Sequence, residues 1–202
     1  MFALRCGEWP GGRARGVILD EVGPDCNRPG GTLKIGGRRA MIYHLSLGSN
    51  LGRRARILVR ARRLLEAGGA VITAESSLYE TEPVDLPGQP WFLNQAVEVR
   101  TDLGPRDLLR LAGAVETALK RVRTAAKGPR TIDIDILFAG GLVIEDPDLV
   151  VPHPRLHLRN FVLVPLAEIA PDLVHPVRRR TVRELLDAST DPARVVRSPG
   201  RA

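Results

Sequence analysis

Residues 130–138 read Arg-Thr-Ile-Asp-Ile-Asp-Ile-Leu-Phe, a pattern that only an extended strand sorts into two chemically distinct faces. Thr131, Asp133, Asp135 and Leu137 then point one way, and Ile132, Ile134, Ile136 and Phe138 the other. Two carboxylates share a face, with Cα atoms about 7 Å apart. Acidic residues are poor strand formers, and same-face neighbours of like charge repel. A cation between them removes the conflict, and hard oxygen donors at this separation suit one Mg²⁺ or a pair of them. The alternative is a charged outer face on an edge strand.

The rest of the chain supplies a sheet for that strand to join. Residues 41–50 form a β-branched and aromatic run that ends in turn residues. Ile57, Ala61, Leu64 and Leu65 recur at helical spacing over 53–67, before Gly68 and Gly69. Residues 70–79 read as one strand, 80–90 as a breaker-rich loop, and 91–100 as another strand. Leu108, Leu111, Ala112, Val115 and Leu119 set a second helix from about Pro105. With 130–138 the order is βαββαβ, and a further brief strand is expected near 142–144. That order predicts an α+β fold, a ferredoxin-like α/β sandwich with a mostly antiparallel sheet and helices on one face. Short helices are expected over 161–169 and 181–186.

The ends differ from this body. Residues 1–40 hold nine Gly and three Pro, and are read as a disordered extension, with Met41 as a candidate initiator. The folded domain is assigned to 41–188 and a flexible tail to 189–202. At 202 residues the chain is long enough to bury a core without staples. Cys6 and Cys26 have no metal-ligand spacing and are read as free thiols. No apolar run is long enough to span a membrane and the first residues lack a signal-peptide stretch, so a cytoplasmic location without membrane partners is expected.

A net charge of +7 raises the question of nucleic acid. Only Lys34, Lys120 and Lys127 are lysines, and the arginines are scattered through helical, strand and tail positions alike. Solvated arginine faces account for the charge, and no nucleic-acid partner is assigned. Near the acidic pair the arginines are more informative. Arg121, Arg123 and Arg130 bracket a loop that contains Lys127 and Gly128-Pro129. Guanidinium forks suit phosphate oxygens, so acid and base at one strand entrance imply a metal–polyphosphate site. Arg121 and Arg123 ending a helix at its negative pole is the simpler reading. Neither GxxxxGK[ST] nor GxGxxG occurs.

Five segments together carry a resemblance: LSLGSNLG from Leu45, SSLYETEPV from Ser76, FLN at 92–94, GPRTIDIDILF from Gly128 and VPHPRLHLRNF from Val151. Their order and spacing resemble the hydroxymethyldihydropterin pyrophosphokinases of folate biosynthesis over about residues 43–186. The resemblance implies the same sandwich fold and transfer of pyrophosphate from ATP to 6-hydroxymethyl-7,8-dihydropterin, giving AMP. It implies that Asp133 and Asp135 hold two Mg²⁺ ions. Phe92 and Phe161 would sandwich the pterin, with Asn94, Thr81, Glu82 and Val84 at its edge. Glu116, Arg121, Arg123, Arg130, Ile136, His153 and Arg159 would contact ATP, with Arg121 and Arg130 stabilising charge during transfer.

Two departures accompany the match. The loop between Arg123 and Gly128 is one residue short, which predicts a looser lid over ATP. Glu82 stands where a proline is commoner. A monomer is expected. A noncatalytic nucleotide- or RNA-binding module on the same sandwich is the rival, but it calls for paired aromatics on central strands, and no such motif is found.

Overall fold

In the computed structural model, which describes residues 34–35, 38–84, 86, 88–122 and 128–199, the first described element is a pair of two-residue strands. This is β1 (Lys34–Ile35) with β2 (Arg38–Arg39). Most of the Gly-rich extension lies outside the described residues, as do Arg123 and Lys127. The body follows as β3 (Met41–Ser49), α1 (Arg54–Ala67), β4 (Val71–Glu75), β5 (Tyr79–Thr81), β6 (Phe92–Thr101), α2 (Pro105–Ala118) and β7 (Asp133–Ala139). A hairpin of β8 (Ile144–Asp146) and β9 (Leu149–Val151) comes next, then a 3₁₀ turn (Leu156–Leu158), α3 (Asn160–Ile169), α4 (Val182–Asp187) and β10 (Val195–Arg197).

The main sheet runs β10-β5-β6-β3-β7, with β4 also on β6, and every pairing is antiparallel. This is the α+β, ferredoxin-like arrangement expected from the periodicity. Three details differ from it. The single strand read over 70–79 is two, because Ser76 turns its hydroxyl to the Ala96 N–H at 3.0 Å and breaks the run. The strand near 142–144 starts at Ile144 and pairs with β9 in a separate hairpin. Residues 195–197, within the stretch read as a flexible tail, add a strand to the open edge of β5. Val195 and Val196 are β-branched, and that edge offers unpaired backbone groups.

Helices cover both faces rather than one. Leu58, Ala61 and Leu65 of α1 and Leu108, Ala112 and Val115 of α2 pack on Tyr43, Leu45, Leu47, Val97, Ile134 and Ile136. Each fully buried leucine among them contributes about 1.5–3 kcal/mol. A Cβ at Gly68 would run into the Leu111 side chain, so glycine there lets the end of α1 meet α2 without displacing that leucine. The opposite face packs Ala96, Leu137 and Phe138 against Leu163 and Leu166 of α3 and Leu185 of α4. A bulge against His44 and Leu45 moves Phe138 to this side, away from Ile136, contrary to strict alternation. Thr181 and Glu184 form a reciprocal cap that starts α4.

Candidate active site

Because β3 lies between β6 and β7, the small residues near its C-terminal end separate two functional strands. Gly48 pairs with Asn94 on one side and Asp133 on the other, and Ser46 with Ala96 and Asp135. Their small size opens a cleft on the α3 face. It is lined by Ser46, Gly48, Thr81, Glu82, Pro83, Val84, Gln89, Phe92, Asn94, Arg130, Asp133, Asp135, Arg159 and Phe161, around about 560 Å³ of empty space counted to its open mouth. The strands, the end of β5 with its following loop, and the start of α3 thus bring together all six residues expected at a pterin, both acidic residues, and two of the expected ATP contacts.

The aromatic and amide groups are set for a flat ligand. Phe92 and Phe161 are half-buried, and each carries a guanidinium on its ring: Arg130 lies 5.2 Å from the Phe92 centroid and Arg159 5.3 Å from that of Phe161. Asn94 is buried, and its Nδ2 donates to Thr81 Oγ1 at 2.7 Å. Its Oδ1 lies over the bare backbone of Gly48.

The acidic pair is wired differently at its two members. Asp133 Oδ1 accepts from Arg121 Nη1 at 2.5 Å, and Oδ2 lies 2.8 Å from Arg130 Nη2. Arg121 also pairs with Glu116, a buried carboxylate that accepts the Ile134 backbone N–H at 2.8 Å. Burial raises the Glu116 pKa, against the opposing pull of that N–H and of Arg121. Asp135 is pushed up to about 6, first by burial and then by the charge of Asp133, with Arg159 and Arg130 acting the other way. Both rises come first from burial, which disfavours the charged carboxylate.

Asp135 also lines a second, shallower cleft with Leu109, Ile134, Ile136, Pro147, Asp148, Leu149, Val150, His153 and Pro154, around about 600 Å³ of empty space counted out into open solvent. Two expected nucleotide contacts, Ile136 and His153, are here. The His153 pKa is lowered to about 4 by burial and by Arg159 and Arg155, so the ring is neutral at physiological pH. Glu116 and Arg121 line neither cleft; Arg121 reaches the first through Asp133. Arg123 lies outside the described residues.

Asn50 escaped the sequence reading. Its Oδ1 accepts the Arg130 backbone N–H at 2.7 Å, its own N–H donates to the Arg130 carbonyl at 3.2 Å, and Nδ2 donates to Gln89 Oε1 and the Pro90 carbonyl, both at 3.3 Å. It ties Arg130 to β3 and to the loop over the first cleft. A polar residue directly after a strand was the available signal, and it reads equally well as a turn residue.

The donor set suits a divalent cation that shares its coordination with a ligand. Among the described residues no three acidic, His or Cys side chains converge, so a closed protein cage is not built. Two carboxylates beside a cleft are what Mg²⁺ uses when substrate phosphates and water complete its octahedron.

A family model described as 7,8-dihydro-6-hydroxymethylpterin-pyrophosphokinase (HPPK) matches residues 44–171. The 2-amino-4-hydroxy-6-hydroxymethyldihydropteridine pyrophosphokinase of Methylorubrum extorquens is 46% identical over 155 residues, covering 76% of this chain and 96% of that protein. The protein of the same name from Bacillus subtilis is 44% identical over 151 residues, 74% of this chain and 86% of its own. Folic acid synthesis protein fol1 of Pneumocystis carinii is 40% identical over 148 residues, but the chain spans only 20% of it. Among solved structures, wild-type Plasmodium falciparum HPPK-DHPS with STZ-DHP superposes with a TM-score of 0.62 at 21% identity, over 76% of this chain and 44% of that one. At that identity the likeness speaks to the fold alone.

Proposed function

The chain belongs to the 7,8-dihydro-6-hydroxymethylpterin-pyrophosphokinase family, and we propose that its two clefts divide the substrates between them at Asp135. The reaction moves pyrophosphate from ATP to 6-hydroxymethyl-7,8-dihydropterin in folate synthesis, giving the pterin diphosphate and AMP. The observation that carries the reading is that Asp135 lines both the cleft of Phe92, Asn94 and Phe161 and the cleft of Ile136 and His153.

The flat pterin enters the first cleft between the Phe92 and Phe161 rings, whose faces favour a planar heterocycle. Asn94, which both donates and accepts, reads its edge, with Thr81 fixing the amide orientation and Glu82 and Val84 closing over it. The nucleotide occupies the second cleft, with its base against Ile136 and His153. The neutral His153 ring is suited to a hydrogen bond rather than an ion pair.

In the transfer the pterin hydroxyl oxygen bonds to the β-phosphorus of ATP as the α–β bridging bond breaks, the hydroxyl proton is released, and AMP leaves. Charge spreads over phosphoryl oxygens, so positioning and cations do most of the work. Arg121 and Arg130, held near Asp133 before substrate arrives, are the guanidinium groups within reach of those oxygens. Arg159 adds positive charge beside Asp135. Asp133 and Asp135 would hold two Mg²⁺ ions, which when bound neutralise phosphate charge and orient the chain of phosphates. Glu116 is the strut beneath, joining Arg121 to the backbone of β7.

The test is AMP release from ATP with and without 6-hydroxymethyl-7,8-dihydropterin. Pterin-dependent AMP formation is expected. ADP as product, or AMP release indifferent to the pterin, overturns the reading.

A further inference from the structure

The family match ends at residue 171, yet the segment beyond it grips both walls of the first cleft. On one wall is Glu82. Its backbone N–H donates to the Arg194 carbonyl at 3.1 Å. Its carboxylate accepts the Arg194 backbone N–H at 3.0 Å through Oε2 and pairs with Arg194 Nε at 3.2 Å through Oε1. The same guanidinium lies 5.2 Å from the Trp91 ring centroid. One arginine therefore holds both ends of the loop over residues 82–91.

On the other wall is Asn160, the first residue of α3, between Arg159 and Phe161 of the cleft. Its backbone N–H donates to Asp191 Oδ2 at 2.7 Å, and its side-chain amide to the Asp191 carbonyl at 2.9 Å. Asp191 is fixed in turn by the Ala193 N–H, which donates to Oδ1 at 3.0 Å. β10 then anchors the segment on β5, and Arg197 reaches Ser77 Oγ at 2.6 Å.

We propose that Asp191 and Arg194 are positioning residues that clasp the two walls of the first cleft at the spacing its flat substrate needs. This rests on the assignment of the pterin to that cleft. An exposed ion pair by itself contributes little. The clasp differs because two of the three Glu82–Arg194 bonds use backbone groups and two more bonds hold Asn160, so it orders walls before substrate arrives and removes that cost from binding. It also explains why residue 82 is not proline here, since proline has no N–H to give Arg194. The second cleft is built from Leu109, β7 and residues 147–154, and none of Glu82, Asn160, Asp191 and Arg194 lines it. The clasp should therefore act on one substrate only.

The experiment is steady-state kinetics of the full chain with pterin and ATP varied separately. In Arg194→Ala and Asp191→Ala the KM for pterin should rise about tenfold, while kcat at saturating pterin and the KM for ATP stay within about twofold. Arg194→Lys keeps a charge opposite Glu82 and should recover part of the loss. Arg197→Ala loosens β10 away from the cleft and should leave the pterin KM near that of the wild type. If Arg194→Ala does not fold, Glu82→Gln weakens the same clasp and should raise the pterin KM. An unchanged pterin KM in the clasp variants, or an equal rise in Arg197→Ala, overturns the proposal. A wild-type protein whose AMP release ignores pterin instead defeats the cleft assignment, and the clasp with it.

Discussion

A single methyl group at position 48 tests whether the Asn94 amide recognises the pterin. Gly48 sits mid-sheet between Asn94 and Asp133. A Cβ there would stand 2.5 Å from Asn94 Oδ1 and 3.7 Å from its Cγ, with Phe92 Cδ1 at 3.9 Å. The amide oxygen must retreat by about 1 Å to reach ordinary contact. It is not free to do so, because Asn94 is buried and its Nδ2 donates to Thr81 Oγ1 at 2.7 Å. Breaking that bond leaves a buried amide and a hydroxyl unsatisfied, at a cost of about 1–3 kcal/mol. If the amide anchors the pterin, Gly48→Ala should weaken pterin binding by about 5- to 150-fold, the equivalent of that range. The assay is a fluorescence titration with the pterin, alongside the KM for ATP, which should hold. An unchanged pterin Kd together with an unchanged thermal midpoint would show that the amide neither moved nor mattered, and would refute the reasoning.

The contrasting glycine is Gly113 in α2, where a Cβ meets nothing within 4 Å; Gly113→Ala should stabilise the protein by about 0.5–1 kcal/mol in urea unfolding and leave turnover alone. Asn50→Ala should cost about 1–3 kcal/mol of stability and lower kcat, since Arg130 loses the bond at 2.7 Å that fixes its backbone. Asp135 has a folded pKa of about 6, above its ordinary value of 3.8. Its protonated form favours the fold below about pH 4, and that advantage is lost as pH rises through 6. With metal chelated, wild-type stability should fall across this window by up to about 3 kcal/mol. Asp135→Asn should flatten the fall and abolish transfer; a variant with the wild-type pH slope would contradict the assignment.

Strong local periodicity made much of this molecule readable from its residues. β3, α1, β6, α2 and β7 emerge with the expected types because each carries a run of side chains that one geometry alone sorts into a buried and an exposed face. The errors fall where neighbours overrule that rule. Ser76 divides a strand by bonding to Ala96, a bulge turns Phe138 to the far face, and α3 covers a side of the sheet that periodicity left bare. Short helices and edge strands carry too few residues to announce which surface will receive them.

The candidate site divides in the same way. Asp133 and Asp135 could be paired from the sequence because two residues apart on a strand means one face, whatever surrounds it. Which of them is neutralised could not, since the guanidinium partners of Asp133 arrive from a helix end and from a loop, while Asp135 is left raised by burial. Likewise Glu82 and Arg194 are 112 positions apart, and nothing in either local stretch marks the other as a partner. Local order is encoded in spacing along the chain. Contacts that close a cleft depend on how distant segments settle after the core has packed, and only the assembled sheet decides them.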